Sequence, residues 1–208
     1  EVNGTTLHVV DEGPREAPAI VLGHSLFFDH TMFDPLAQRL AAEHRVVRYD
    51  HRGQGASASA PEEQLDMDTL TEDAAALIEA LELAPCTYVG NSMGGFVALR
   101  LAARRPDLVA SVVVAGSSGA AEERIAEFDP LVDAMAQGGV APVLDVVTHI
   151  MLGDTSMGGE RPELLEATSF VGRWMDILRP GFEGVDGQQR RCGGEGQGYA
   201  HRGSSACG

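Results

Sequence analysis

The residues best suited to chemistry are Gly90-Asn91-Ser92-Met93-Gly94. They put a serine hydroxyl between the apolar run CTYVG (86–90) and an amphipathic stretch (93–105) closed by Pro106. The five-residue pattern is loose by itself, and its setting makes it specific. A nucleophile held above a strand end must stand clear of its own backbone, which calls for a strained turn. Gly90 and Gly94 remove side chains that would collide where strand and helix come close. The helix starting at Met93 directs its free N–H groups and the positive end of its dipole at the same point, where they favour a developing oxyanion. The chemistry is attack of a serine on a carbonyl carbon. The plainer alternative is a glycine-rich turn whose serine only caps the helix.

Such a site needs a second oxyanion donor from the loop after an earlier strand. AIVLG (19–23) is a continuously apolar strand, and His24-Ser25-Leu26 follows it. A third stretch, RYDHRGQGAS (48–57), has glycines at 53 and 55 that suit a turn with unusual backbone angles. Together the three stretches resemble the α/β-hydrolase fold enzymes, over residues 1 to about 180. GHSLFFDHTMFD and VVRYDHRGQGAS are most similar to the 3-oxoadipate enol-lactonase branch, and related esterases and carbon–carbon bond hydrolases share these loops. The resemblance implies that Ser92 is the nucleophile and that the N–H groups of Leu26 and Met93 hold the oxyanion. It makes His24, Gly90 and Gly94 supports of the loop and turn, and the 48–57 loop architectural. Where the family usually carries His-Gly, this chain has His24-Ser25.

A serine hydroxyl also needs a general base, and the base an orienting carboxylate. In this family the chain order is Ser, then Asp or Glu, then His. Two histidines follow Ser92. His149 sits in the helical run VVTHIM and reads as a surface or core residue. His201 lies in a glycine-rich tail with no strand before it. Asp186 is equally unsupported, and Asp176 belongs to a helical run. No base or acid is assigned.

The supporting elements alternate between strand and helix. Strands are expected at 6–12 (edge-like), 19–23, 44–50, 86–90 and 108–118, the last buried. Helices are expected over 30–43, 68–83 and 93–105, the second capped by Thr69 or Thr71, with Glu72 and Asp73 at its positive end. This alternation predicts an α/β fold, a mostly parallel sheet with flanking helices, its working loops at the C-terminal ends of the strands. Residues 1–119 form that core, and 120–180 read as a helical cap in which Phe170, Trp174 and Met175 either line a pocket or pack against the core. Leu26, Phe27 and Phe28 suggest an apolar entrance.

Residues 181–208 hold nine glycines and almost no apolar periodicity, so they are not expected to pack. The expectation is a chain cut short or read out of frame from about Pro180, its C-terminal strands missing. All 15 basic residues are Arg, a sign of GC-rich coding, and such DNA out of frame yields Gly, Arg, Ala and Cys. A divergent natural tail is the alternative.

With 15 basic residues against 31 acidic, the net charge is −16, which argues against nucleic acid or an anionic membrane as partner. No window reaches the length of a membrane span. The N-terminal stretch lacks both an initiator Met and a signal-peptide layout, so a cytoplasmic protein missing its first residues is expected. Cys86, Cys192 and Cys207 show no metal or disulfide spacing, and no EF-hand, zinc or P-loop pattern occurs. No cofactor or metal is expected. The sequence reading is a serine hydrolase of a small carboxylic ester or enol-lactone, working through an acyl-enzyme. The alternatives are a carbon–carbon bond hydrolase, a haloperoxidase-like relative, or a non-catalytic ligand-binding remnant without the triad Asp and His.

Overall fold

The computed structural model describes residues 1–120, 125–139 and 141–149. Most of the expected cap, including Phe170, Trp174, Met175 and Asp176, lies outside the described residues, as do Asp186, His201 and the tail.

Among the described residues five strands form one sheet: β1 (Val9–Glu12), β2 (Ala19–Gly23), β3 (Arg45–Tyr49), β4 (Cys86–Asn91) and β5 (Val109–Ala115), in the order β1-β3-β2-β4-β5. The β2–β3, β2–β4 and β4–β5 pairs are parallel, and only β1 runs antiparallel, against β3. The apolar runs of β2 and β3 occupy the middle of the sheet, where both faces are covered. On one side, Val21, Val47 and Tyr88 pack with Leu70, Ala74, Leu77 and Ile78 of α2 (Met67–Ala80) and Val97 and Leu101 of α3 (Met93–Arg104). On the other, Ile20, Leu22 and Val46 pack with Phe33 and Ala37 of α1 (Asp34–Leu40).

Four expectations change in detail. The helix expected over 30–43 is a 3-10 turn (His30–Phe33) followed by α1, and Pro35 in the first turn of α1 marks the restart. Helix α2 is capped by Asp66, not by Thr69 or Thr71: its Oδ1 accepts the N–H groups of Asp68 and Thr69 at 2.8 and 2.9 Å. Thr69 instead donates its hydroxyl to Asp66 Oδ2, and Thr71 donates to the Met67 carbonyl within the helix. Asp73 does not serve the helix dipole. It is buried against Arg52, whose Nε and Nη2 donate to its two oxygens at 2.8 and 2.6 Å. Strand β5 lies at the edge of the described sheet, so its apolar run is only partly covered and Val113 is 51% exposed.

Beyond β5 the described segments are helical, with a 3-10 turn at Ile125–Phe128, α4 (Asp129–Gly138) and a second 3-10 turn at Ala141–Val143. Val143 and Val147 form a small cluster with Leu131, Met135 and Phe27, so this part lies against the loop after β2. No helix among the described residues is long and apolar enough to cross a membrane.

Candidate active site

Ser92 stands between the last residue of β4 and the first of α3, with φ 49° and ψ −111°. A non-glycine residue at positive φ is strained by roughly 1–3 kcal/mol and persists only where its surroundings hold it. The surroundings here are specific. The Ser92 N–H donates to the Ala115 carbonyl at 2.8 Å, and the Ser92 carbonyl accepts the Ser117 hydroxyl at 2.7 Å. The Ser92 side chain makes no capping bond to α3, which removes the plainer reading of this serine.

Gly90 and Gly94 are required by space. A Cβ on Gly90 would lie 2.0 Å from the Gly94 carbonyl oxygen, and one on Gly94 2.0 Å from the Gly23 carbonyl oxygen. The close approach at Gly94 lets its N–H reach the His24 carbonyl at 3.1 Å, joining the start of α3 to the loop after β2. The expectation of several free N–H groups at the start of this helix therefore narrows. Gly94 N–H is taken by His24 and Gly95 N–H by the Ser92 carbonyl at 2.9 Å. With Ser92 N–H on Ala115, the N–H between these committed neighbours is that of Met93.

His24 is fully buried in the loop after β2. Its Nε2 accepts the His51 backbone N–H at 2.9 Å, so the ring proton sits on Nδ1 and is donated to the Ser25 carbonyl at 2.8 Å. The two imidazoles meet edge to face at 4.4 Å, and His51 Nε2 donates to the His24 carbonyl at 3.2 Å. Burial holds His24 below the ordinary histidine range and His51 well below it, so both are neutral supports of the loop. Ser25 is buried as well, and the chain then surfaces at Leu26, which is 44% exposed, and turns through positive φ at Phe27. Phe27 packs on the Val143 cluster, so of the three apolar loop residues Leu26 is the outward one.

Leu26, Ser92 and Met93 thus lie on neighbouring strand ends, since β2 and β4 are paired in parallel. Sequence reasoning missed Ser117 and took His51 and Gln54 only as part of the architectural 48–57 loop. Gln54 donates its amide to Met93 Sδ at 3.6 Å, and Ser117 and His51 hold the backbone carbonyls of Ser92 and His24. Their one signal was position, just past the C-terminal ends of β5 and β3. His149, the one histidine after Ser92 among the described residues, is exposed on a helical turn. Burial pushes the Cys86 thiol up to about 11, as suits an inert core cysteine.

A family model described as the alpha/beta hydrolase fold matches residues 18–192. The chain is 39% identical over 115 residues to 3-oxoadipate enol-lactonase 1 of Acinetobacter baylyi, covering 55% of this chain and 42% of that protein. It is 38% identical over 105 residues to an sn-1-specific diacylglycerol lipase of Mus musculus, covering 50% of this chain and 34% of the relative. Among solved structures, an enol-lactonase from Burkholderia xenovorans LB400 superposes with a TM-score of 0.62 at 35% identity, covering 71% of this chain and 57% of that one. The chain spans less than half the length of both curated relatives.

Proposed function

Because this chain belongs to the alpha/beta hydrolase fold family, we propose that it is a serine hydrolase of a small carboxylic ester or lactone. The observation that carries the reading is Ser92, held at φ 49° on the turn between β4 and α3 with its hydroxyl unused as a helix cap. In this reading Ser92 Oγ bonds to the substrate carbonyl carbon as its proton passes to a general base. The carbonyl π electrons move onto oxygen, and the N–H groups of Met93 and Leu26 receive that charge. The intermediate then collapses, the C–O bond to the alcohol breaks, and the alcohol leaves protonated, still tethered in a lactone. Water completes the cycle by hydrolysing the acyl-serine. Losing one oxyanion donor typically costs about 3–4 kcal/mol of transition-state stabilisation, so the turn at Leu26 matters as much as the serine.

Similarity to an enol-lactonase and to a lipase supports carbonyl–oxygen cleavage as the reaction class. The lactonase side is favoured by the two loops that first suggested it, residues 23–34 and 46–57. The test is labelling of the full chain with a fluorophosphonate probe, together with turnover of a short p-nitrophenyl ester, against Ser92→Ala. Labelling and turnover that vanish in the variant are expected of a chain that holds its base and acid, whereas one cut short from about Pro180 is expected to be inactive. A folded protein that takes up no probe would instead be a binding relative without turnover.

A further inference from the structure

Three side chains from separate segments converge at the C-terminal edge of β3. His8 directly precedes β1, His30 opens the 3-10 turn after the β2 loop, and Asp50 directly follows β3. One donor atom from each lies within 4.8 Å of the other two. The Asp50 side chain is 1% exposed, and the two half-buried imidazoles meet with ring centroids 4.7 Å apart. The chemistry proposed for Ser92 uses none of them.

We propose that His8, His30 and Asp50 form a site for one divalent transition-metal ion of the zinc type, which pins the start of β1 and the loop after β2 to the end of β3. Two imidazoles and a carboxylate are a borderline donor set, suited to Zn²⁺, Co²⁺ or Ni²⁺ and poorly matched to the all-oxygen preference of Mg²⁺ and Ca²⁺. Three protein ligands leave a coordination position for water.

The geometry is largely prepared. Donors on metal bonds of about 2.0–2.1 Å sit roughly 3.0–3.4 Å from one another. His30 Nδ1 and Asp50 Oδ1 are already 2.8 Å apart. The remaining closure falls on the His8 ring, whose backbone is held by its N–H bond to Ser57 Oγ at 2.9 Å. The carboxylate is fixed in advance, because Asp50 Oδ1 accepts the His30 N–H at 2.7 Å and Oδ2 accepts the Ala56 N–H at 2.8 Å. Both bonds survive coordination, since a carboxylate oxygen has a second lone pair. Only the His30 ring bond is exchanged for the metal, and the buried carboxylate gains a cation.

The plainer account is that His30 donates its ring proton to Asp50 simply to tie down a loop. That account gives no role to the His8 ring nitrogen that lies within 4.8 Å of donor atoms of both other residues. The site stands apart from the nucleophile, because β3 is separated from β4 by β2, about 10 Å across the sheet. It is therefore independent of the hydrolase reading. Its effect would be mechanical, stiffening the loop that carries Leu26.

The experiment is a titration of the full 208-residue chain with Co²⁺, followed by visible absorption, and with Zn²⁺, followed by calorimetry. One Co²⁺ per chain is expected, with its ligand-field band lost on adding Zn²⁺ and unaffected by millimolar Mg²⁺. His8→Ala and His30→Ala should each weaken binding by at least about tenfold. His8→Ala is the cleaner variant, since it keeps the backbone bond to Ser57 and its fold can be checked by circular dichroism. A His149→Ala/His201→Ala double variant should bind as the parent does. Absence of a stoichiometric site would overturn the proposal, as would binding that survives in folded His8→Ala.

Discussion

The carbonyl of His24 accepts the backbone N–H of Gly94 at 3.1 Å, and through that bond the loop after β2 and the first turn of α3 share one frame. Two residues on from His24 lies Leu26, and one before Gly94 lies Met93. The two N–H groups proposed to hold an oxyanion are thus placed relative to one another by the bond between their neighbours. The His24 carbonyl also accepts His51 Nε2 at 3.2 Å, so the loop is held from both sides. An electrostatic site works only if its donors do not have to reorganise during the reaction, and this pairing supplies that rigidity.

Gly94→Ala tests the frame directly. The new Cβ would meet the Gly23 carbonyl oxygen at 2.0 Å and the His24 carbonyl oxygen at 2.9 Å, both backbone atoms that cannot rotate away. The loop must separate from the helix, and the His24–Gly94 bond breaks. A loss of roughly 1–3 kcal/mol in urea unfolding is expected, with fluorophosphonate labelling of Ser92 falling more steeply than stability. Labelling at the parental rate in a folded variant would show that the frame does not matter.

The strain at Ser92 predicts the opposite sign. Glycine adopts φ 49° and ψ −111° without a Cβ penalty, so Ser92→Gly should relieve about 1–3 kcal/mol of backbone strain. The greater freedom of glycine in the unfolded chain takes back about 0.5–1 kcal/mol. The net expectation is a more stable protein with no serine labelling, whereas Ser92→Ala loses labelling without the stability gain. Chemical denaturation of the two variants side by side reads the difference. A Ser92→Gly midpoint below that of Ser92→Ala would mean the turn is unstrained.

Much of the fold was legible because its signals are local. The apolar runs 19–23 and 86–90 match strands Ala19–Gly23 and Cys86–Asn91 closely, and the glycine-flanked serine falls on the turn that its pattern requires. What escaped depends on contacts distant in sequence. Asp73 looked like a dipole partner because nothing near it in the chain reveals Arg52, 21 positions earlier. Thr69 and Thr71 looked like caps because Asp66 was outside the window expected for the helix. Scanning for metal spacing searches only short windows, whereas β1–β3 pairing sets residue 8 beside residue 50 and the bond from the His30 N–H to Asp50 adds residue 30. The continuous apolar composition of 108–118 suggested two covered faces, but composition cannot say where a strand sits in a sheet.

His24 and His51 make stability depend on pH. Burial lowers both folded-state pKa values, so near and below the ordinary histidine value of about 6.5 the unfolded chain binds more protons than the native one. Stability therefore rises with pH through this window and falls as pH drops below it, by up to about 1.4 kcal/mol per pH unit for each histidine. Melting temperatures measured from pH 7.5 down to 5 should decline. The decline should be shallower in His51→Gln, which removes the more strongly shifted group. A flat profile in the parent would mean that neither histidine is held neutral by the fold.

The pair Arg52–Asp73 offers the sharpest energetic test. Their side chains are 4% and 2% exposed, and four of the five guanidinium N–H groups are donated to three partners: Asp73, Gln64 Oε1 at 2.8 Å and the Asn3 carbonyl at 2.8 Å. Asp73 in turn accepts Asn3 Nδ2 at 2.8 Å, so the cluster ties the N-terminal segment, the loop after β3 and α2 together. Removing one member leaves the other as an unpaired buried charge. Asp73→Ala should therefore cost about 3–5 kcal/mol in denaturant unfolding. Replacing both partners, as in Arg52→Met/Asp73→Leu, removes the uncompensated charge and should recover most of that loss, because an apolar pair of similar volume is often as stable as a buried ion pair. A double-mutant cycle built from Arg52→Met, Asp73→Leu and the two together separates the two effects. A coupling energy near zero would mean that the ion pair contributes nothing specific, and that Arg52 is held by Gln64 and Asn3 instead.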